Sequence, residues 1–287
     1  MAAAKVVPGR VGILGLGLIG GSFAKAFAAA GREVYAYDLS EDVQAMAAIE
    51  TTSGTLDQTT IPTCELIILA GYPEICVDWL RDNAAHVSAQ TIVIDIAGVK
   101  GAVCAECFEI AYRNGFSFVG THPMAGSQYS GFAHARANLF HKAPMVLVPP
   151  PGGNVERLEL LDRLEGLLEP CGFGFFSVTT PERHDRLIAY TSQLAHVVSN
   201  AYVKSPTARE HRGFSAGSYK DLTRVARLNA PMWRELFLDN AECLSYEIGL
   251  IIDSLQEYKD AIDANDGERL ELLLAEGDRL KREAEAR

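Results

Sequence analysis

The stretch VGILGLGLIGGS, at Val11–Ser22, decides the fold of the first half of this 287-residue chain. Val11–Leu14 is an apolar run that predicts a buried parallel strand. The three glycines that follow permit a tight turn and a close approach of the backbone. Leu18–Ala30 then has the apolar spacing of a helix. The stretch therefore predicts a strand–turn–helix unit that directs backbone N–H groups and a helix N-terminus at a diphosphate.

A carboxylate follows the second apolar run. Glu33–Tyr37 predicts a strand, and Asp38 comes directly after it, eighteen residues beyond Gly20. A carboxylate there accepts hydrogen bonds from an adenosine ribose and repels a 2′-phosphate, so the pattern favours NAD over NADP. The alternative is a glycine-rich turn that binds no nucleotide. The predicted cofactor-binding residues are Gly15, Gly17, Leu18, Ile19, Gly20, Asp38, Gly71 and Ala97.

Composition places the chain among ordinary globular proteins. Hydrophobic residues make up 48% and charged residues 22% of the chain, and the net charge is −11. An acidic protein is a poor partner for nucleic acid, whereas local basic residues still allow a small anionic substrate. The start, MAAAKVVPGR, lacks a secretory signal, and no apolar run is long enough to cross a membrane. We therefore expect a cytoplasmic protein without a membrane anchor.

Cysteine usage indicates a reduced protein. The six cysteines are scattered, and Cys104 and Cys107 form a single CxxC without the second pair that a zinc site needs. Both lie in the predicted helix Gly101–Arg113, where buried thiols are common. We expect no metal and no redox role for them.

Strand and helix patterns alternate over the first 180 residues. This βαβ rhythm is typical of a Rossmann-type, doubly wound parallel sheet in an α/β protein. The further predicted strands are Leu66–Ala70, Thr91–Ile96, Phe116–Val119, Met145–Val148 and Gly174–Val178, and the helices between them are Glu41–Ile49, Glu74–Ala85, Gly101–Arg113 and Asn154–Leu168. We place a dinucleotide-binding domain at 1–180, with no boundary at the proline- and glycine-rich stretch 149–153.

No convincing strand pattern follows Glu182. Glu182–Lys204 predicts one long helix, and Pro231 opens a second that continues through Leu255. Apolar residues recur at spacings of three and four over a broad face, which often continues into a partner subunit. We predict an all-helical substrate and dimerisation domain at 181–287, which ends in a charged helix at 266–286 and forms a homodimer.

His122 is the predicted catalytic residue. It lies in Gly120–Ser127, GTHPMAGS, which is expected to form a loop after the fifth strand, where ligands bind beyond the carboxyl ends of such a sheet. A histidine titrates near neutral pH and suits a general base. The alternative is a histidine that only hydrogen-bonds the loop to itself. A second histidine, His184, is interpreted as a surface or helix-packing residue in preference to a hinge or cleft residue.

The helical half carries two further polar sets. Gln193, His196 and Asn200 share one face of the predicted helix, where polar side chains need partners from packing or from a substrate. Lys220 and Arg224 lie one turn apart, and the planar fork of an arginine suits a carboxylate. The alternative for these cations is pairing with acidic surface residues.

In combination these segments resemble the prephenate/arogenate dehydrogenase family of tyrosine biosynthesis. The motifs that carry the resemblance are GLGLIGGS at 15–22, DxxxVK at 95–100, GTHPMAGS at 120–127, SxLxH at 192–196, KDLTRVA at 220–226 and PMWRELFLDN at 231–240. They occur in order over most of the chain.

The resemblance implies an NAD-dependent oxidative decarboxylation, either of prephenate to 4-hydroxyphenylpyruvate or of arogenate to tyrosine. The histidine of the family that contacts the substrate hydroxyl corresponds to His122. The arginine that grips a substrate carboxylate corresponds to Arg224, and the pocket histidine of the helix motif to His196. With the polar sets above, the predicted substrate-binding residues are Arg224, His196, Gln193, Lys220 and Ser127.

Two positions depart from the family pattern. Many members have a serine where this chain has Gly98, and its hydroxyl supports the catalytic histidine. Here Ser127, Thr121 or a water has to replace it, or the support is absent. The helix motif of the family also often has histidine and proline in place of Gln193 and Ala195. Both departures bear on substrate identity more than on reaction type.

Three alternatives stay open. The departures are compatible with a dehydrogenase of 4-amino-4-deoxyprephenate in a specialised pathway. A β-hydroxyacid dehydrogenase shares the domain order but relies on a catalytic lysine, for which Lys204 or Lys220 would have to serve. The third alternative is a non-catalytic dinucleotide-binding protein. We expect no appended regulatory domain, so any feedback by tyrosine is expected at the active site.

Overall fold

The computed structural model describes residues 5–127 and 129–286. The N-terminal stretch that is expected to lack a secretory signal therefore lies partly, at residues 1–4, outside the described residues. The predicted strand–turn–helix unit is present. All four residues of strand β1, Val11–Leu14, are buried, and helix α1, Leu18–Ala29, follows the glycine turn. Strand β2, Val34–Tyr37, pairs with β1 in parallel.

Strands and helices continue to alternate in the part of the chain that follows. Within the described residues, the remaining strands are β3 (Gly54–Thr55), β4 (Leu66–Leu69), β5 (Ile92–Asp95), β6 (Ser117–Pro123), β7 (Pro144–Val148) and β8 (Phe175–Val178). The remaining α-helices are α2 (Glu41–Glu50), α3 (Pro73–Asn83), α4 (Gly101–Asn114), α5 (Asn154–Leu168), α6 (Pro181–Ile188), α7 (Ala195–Tyr202), α8 (Gly217–Thr223), α9 (Ala230–Asp239), α10 (Ala241–Asp263) and α11 (Gly267–Glu285).

The described strands form one sheet in the order β3-β2-β1-β4-β5-β6-β7-β8. The strand order reverses at β1, as in a doubly wound Rossmann-type sheet, and the predicted α/β fold class is confirmed. One detail differs from a wholly parallel sheet, because β6 and β7 pair antiparallel. In the described residues of the connection between these two strands, a short 3₁₀ turn at Phe132–His134 is the only helical element, whereas a parallel pair requires a longer crossover connection.

The two faces of the sheet bury separate apolar clusters. Side chains alternate along each strand, so Ile13 faces the cluster beneath α1 and α5, while Leu14 faces the cluster beneath α3 and α4. Strands β1 and β4 are apolar and buried throughout because both faces of the sheet are covered there by helices. This burial holds the carboxyl ends of the neighbouring strands β1, β4 and β5 side by side at one end of the sheet.

The chain divides into two compact units. The first extends to Ile188 and also includes Arg227–Asn240, and the second comprises Ala189–Ala226 together with the residues from Ala241 onward. Helices α6 and α9, both beyond the predicted boundary at residue 180, thus belong to the sheet-bearing unit. In the second unit the described residues form helices and turns but no strand. Across the described ranges, no helix combines the length and hydropathy that crossing a bilayer requires.

Two predicted long helices are interrupted. The predicted helix Glu182–Lys204 contains a π-helical turn, Ala189–Leu194, between α6 and α7. The prediction of one helix from Pro231 through Leu255 is wrong, because α9 ends one residue before Asn240 and α10 begins one residue after it. Asn240 is only 5% exposed, and its Nδ2 donates to a backbone oxygen of α6 at 2.8 Å. This contact fixes the chain at the break.

Candidate active site

Each glycine of the turn after β1 has its own steric environment. Gly15 has a φ of +83°, and a Cβ there would lie 2.7 Å from the backbone oxygen of Ala70. A Cβ on Gly20 would lie 2.0 Å from the backbone oxygen of Gly15. A Cβ on Gly17 would meet no atom within 4 Å. The first and third glycines therefore allow the turn to close, while the second leaves open space over the backbone.

This open space lies at the N-terminus of α1. Gly17 is the N-cap residue and provides no side-chain cap, and the N–H groups of the first turn have no acceptor within the helix. Leu18 and Ile19 are the first two residues of that turn. An uncapped helix N-terminus beside an open glycine attracts an anion, so these residues fit a nucleotide diphosphate.

Asp38 is held beside the same turn. Its Oδ2 accepts a hydrogen bond from the backbone N–H of Leu16 at 2.7 Å, and its Oδ1 accepts one from the N–H of Ser40 at 2.9 Å. A carboxylate offers only acceptors, which fits ribose hydroxyls and disfavours a phosphate. Gly71 and Ala97 lie two residues past the ends of β4 and β5, at the same edge of the sheet.

A buried ion pair lies at the carboxyl end of β5. The side chains of Lys100 and Asp95 are fully buried, and Nζ of the lysine donates to Oδ2 of the aspartate. The same Oδ2 accepts the N–H of Ala97 at 2.8 Å, while Oδ1 accepts the N–H of Thr121 at 3.1 Å. The pairing and these hydrogen bonds offset the cost of burying two charges, and they join the end of β5 to β6.

His122 lies in a strand, which corrects the predicted loop position. The second half of β6 pairs antiparallel with β7, and His122 stands opposite Val146 in this ladder. The sequence pattern ended the strand at Val119 because the partner strand is distant in the chain. A strand position gives the imidazole a more rigid backbone than a loop provides.

A chain of side-chain contacts runs from His122 into α6. Nδ1 of His122 lies 3.0 Å from Nε2 of His184, and Nδ1 of His184 lies 2.7 Å from Oδ1 of Asp185. His184 is 2% exposed and Asp185 is 7% exposed. The interpretation of His184 as a surface residue is therefore wrong, and its packing in α6 includes a contact with His122 of β6. The adjacent His-Asp pair in α6 is the sequence signal that could have indicated this buried contact.

Asp185 connects this series of side-chain contacts to the N-terminus of α4. Its Oδ1 accepts the backbone N–H of Lys100 and its Oδ2 accepts that of Gly101, both at 2.7 Å. The N-terminus of a helix stabilises a negative charge, so the carboxylate serves as a cap for α4. The backbone oxygen of Asp185 is in turn the acceptor of the Asn240 side chain.

The surroundings of His122 disfavour its charged form. Burial, and then the neighbouring His184 and Lys100, lower the pKa of His122 well below the ordinary value of 6.5. A histidine of this kind is neutral near pH 7 and can accept a proton.

Residue 98 is a glycine, so no hydroxyl group at this position can hydrogen-bond to His122, and the partner of His122 is a different side chain. A Cβ at Gly98 would make ordinary contacts with Leu236 of α9, at 3.5 Å. The hydroxyl of Thr121 donates to the backbone oxygen of Asp95, and Ser127 is exposed and accepts the N–H of Tyr129 at 3.2 Å. The contact to Nδ1 of His122 comes instead from His184, as described above.

The remaining candidates belong to the second unit. Nδ1 of His196 lies 3.1 Å from the backbone oxygen of Val225, and Nδ2 of Asn200 donates to that of Ala226 at 3.1 Å. Helix α7 therefore holds the segment that follows α8, where Arg224 is exposed. Burial and the charge of Arg224 lower the pKa of His196, and the bond to Val225 opposes this shift.

The other two candidates of this unit differ in exposure. Lys220 is exposed on α8, whereas Gln193 is 2% exposed and lies in the π-helical turn. The π-turn shifts Gln193 relative to His196, so the simple spacing of one α-helical face does not apply to this pair.

The CxxC pair has the character of core filler. Cys104 and Cys107 are buried among the apolar side chains beneath α4, and burial raises the pKa of the Cys104 thiol to about 12. Within the described ranges, no three side chains among His, Cys, Asp and Glu gather as a metal ligand set would.

Family models cover both halves of the chain. Residues 23–173 match the nucleotide-binding domain of prephenate dehydrogenase, and residues 180–276 match the dimerisation domain of the same enzyme. The chain belongs to the prephenate dehydrogenase family. The resemblance found in the sequence motifs is thereby confirmed, and the first half is a nucleotide-binding domain of an oxidoreductase family.

Three relatives illustrate the range of the prephenate dehydrogenase family around this chain. Prephenate dehydrogenase of Bacillus subtilis is 28% identical over 272 residues, which cover 90% of this chain and 71% of the relative. A crystal structure of prephenate dehydrogenase from A. aeolicus with hydroxyphenyl propionate and NAD+ is 27% identical, with a TM-score of 0.79 and coverage of 99% and 100%. The arogenate dehydrogenase of Synechocystis is 26% identical, with a TM-score of 0.77 and coverage of 95% and 99%.

Proposed function

We propose that this protein catalyses the NAD-dependent oxidative decarboxylation of prephenate or arogenate in tyrosine biosynthesis. The observation that carries the proposal is the contact of His122 with the His184–Asp185 pair, in the unit that also bears an open glycine turn and Asp38. Membership of the prephenate dehydrogenase family supports it, and so do relatives named for both substrates. They do not favour the specialised amino-substrate or a non-catalytic role.

His122 is the base in this proposal. When bound, NAD accepts a hydride from the ring carbon that carries the hydroxyl group. His122 accepts the hydroxyl proton, which helps this carbon become a carbonyl, and loss of CO2 then makes the ring aromatic. Because aromatisation supplies much of the driving force, the protein mainly orients the substrate and accepts a proton.

Arg224 binds a substrate carboxylate in this proposal. Its guanidinium is exposed, and the backbone beside it is held by His196 and Asn200. A held backbone lowers the entropy lost when the side chain forms a bidentate pair. The other proposed substrate-binding residues are His196, Gln193, Lys220 and Ser127.

The cofactor proposal is NAD in preference to NADP. Gly15, Gly17, Leu18, Ile19 and Gly20 form the diphosphate site, with Gly71 and Ala97 along the same sheet edge. The carboxylate of Asp38 receives the ribose hydroxyls and repels a 2′-phosphate.

We also propose that the protein is a homodimer and that it is located in the cytoplasm. The family match to a dimerisation domain supports assembly through the helical half. Large apolar side chains are exposed along α10 and α11, and they would lose this exposure against a second copy: Tyr246, Leu250, Ile252, Leu255, Leu272 and Leu274.

Steady-state assays with two substrates and two cofactors test the function. Prephenate and arogenate are each supplied with NAD+ or NADP+, and NADH formation and CO2 release are measured together. We expect equal amounts of both products with NAD+ and at least one of the two substrates. Tight binding of NADH without turnover of either substrate, or of the 4-amino analogue, would contradict the proposal. Turnover of the amino analogue alone would replace the substrate.

A further inference from the structure

The partners of Asp185 determine which nitrogen of His184 carries a proton. Both carboxylate oxygens accept backbone N–H groups, from Lys100 and from Gly101, at 2.7 Å. A backbone N–H can only donate, so both oxygens act as acceptors. Nδ1 of His184 lies 2.7 Å from Oδ1 and must therefore be a donor.

The contact between His184 and His122 determines in turn which nitrogen of His122 carries a proton. In a neutral His184, the proton on Nδ1 leaves a lone pair on Nε2. Nδ1 of His122 lies 3.0 Å from that lone pair and donates to it. The lone pair of His122 then lies on Nε2. A protonated His184 would instead donate from Nε2 to Nδ1 of His122 and would give the opposite tautomer.

We propose that His184, held by Asp185, is a positioning residue that keeps His122 in the tautomer with its lone pair on Nε2. This inference rests on the proposed function. In the reaction, the O–H bond of the substrate breaks and its proton bonds to Nε2, while the electron pair forms the carbonyl as hydride leaves to the nicotinamide. The proton returns to the same oxygen when CO2 is lost and the ring becomes aromatic.

The same contacts stabilise the charged intermediate state. Once protonated, His122 still donates from Nδ1 to His184, and His184 still donates to Asp185. The buried carboxylate is thus two hydrogen bonds from the transient imidazolium, in the manner of a catalytic triad.

Two isosteric substitutions separate positioning from packing. In His184→Gln, the side-chain oxygen reaches the position of Nε2 and can still accept from His122. In His184→Asn, the amide reaches only the position of Nδ1, so the bond to Asp185 is kept and the acceptor for His122 is lost. We expect His184→Asn to lower kcat at least about tenfold, with a smaller change in KM. We expect His184→Gln to stay within a few-fold of the unmodified protein.

The tautomer is measured directly by ¹⁵N NMR of histidine-labelled protein near neutral pH. Loss of a signal pair in His122→Asn assigns the ring of His122 among the seven histidines. We expect a protonated Nδ1 and an unprotonated Nε2. A protonated Nε2 in the unmodified protein overturns the inference, and so do equal kcat values for both His184 variants and the unmodified protein.

The controls keep this inference separate from the proposed function. His86→Asn changes a histidine that precedes the N-terminal end of β5, whereas the candidate site lies at the carboxyl ends of the strands. This variant should leave kcat and the His122 signals unchanged. If both His184 variants unfold, the tautomer in the unmodified protein decides alone. The NMR result does not depend on turnover, so an inactive protein with the expected tautomer contradicts the function and leaves the positioning role intact.

Discussion

The ionisation of His122 sets the pH dependence expected at the residue scale. A general base acts only when neutral, and burial with His184 and Lys100 lowers the pKa of His122 well below 6.5. We therefore predict that kcat/KM is constant around neutral pH and falls only as the pH drops through a midpoint below 6.5. The measurement is a kcat/KM profile at saturating NAD+. A midpoint at or above 6.5 would show that His122 is not desolvated in this way.

The guanidinium of Arg224 governs substrate affinity in the account. We predict that Arg224→Ala raises KM by roughly tenfold to a hundredfold with little change in kcat, because a charged hydrogen bond contributes about 1.5–3 kcal/mol. Arg224→Lys keeps the charge without the planar fork and should give an intermediate KM. Steady-state kinetics of the three proteins provide the measurement. An unchanged KM in Arg224→Ala would remove this residue from the substrate site.

Single residues show where sequence reasoning stops. His122 is identified by its glycine- and proline-containing motif, and Asp38 by its distance from the glycine turn. His184 is not identified, because its role depends on contacts with β6 and α4 that are more than 60 residues away along the chain. The adjacent His-Asp pair marks a polar position in the helix, but the local pattern does not show which residues of β6 and α4 it contacts.

At the element scale, the glycine turn allows a matched pair of substitutions. A Cβ on Gly20 would lie 2.0 Å from a backbone oxygen, whereas a Cβ on Gly17 would meet nothing within 4 Å. We predict that Gly20→Ala lowers the midpoint of thermal unfolding and weakens NAD+ binding. Gly17→Ala should keep the unfolding midpoint and weaken NAD+ binding alone, because its methyl group enters the space assigned to the diphosphate. Calorimetry and binding titrations check both. Unchanged NAD+ affinity in Gly17→Ala would place the diphosphate elsewhere.

The elements that the sequence predicts best are those whose signal is local. The run Val11–Leu14 and the helix after it follow from apolar pattern and glycine spacing. The break at Asn240 does not, because the apolar spacing continues across it and the side chain is held by α6. Likewise β6 extends to Pro123 only because β7 pairs with it.

At the scale of the whole molecule, the apolar side chains of α10 predict assembly. The account expects a dimer, because residues such as Ile252 and Leu255 are more than half exposed in the single chain. We predict that Leu255→Asp shifts the protein toward a monomer in light scattering coupled to size-exclusion chromatography. Asp253→Asn, which changes an exposed charge on the same helix, is the matched control. A dimer that persists in Leu255→Asp with unchanged stability would place the interface on another surface.

Family membership and fold follow from evidence spread over both halves. Six motifs together indicate the family, at 15–22, 95–100, 120–127, 192–196, 220–226 and 231–240, and the sheet order and helical second unit agree with it. The division of the chain was harder to predict, because α6 and α9 lie late in the sequence and yet pack within the sheet-bearing unit. Their attachment brings His184 and Asn240 to the first unit.

The turnover of His122→Asn tests the central claim most directly. Asparagine keeps much of the shape of the imidazole but cannot accept the hydroxyl proton. With the preferred substrate and NAD+, the account predicts a fall in kcat of about 10²–10⁴-fold, while the dissociation constant for NAD+ stays that of the unmodified protein. Near-normal kcat in this variant would contradict the assignment of His122 as the base.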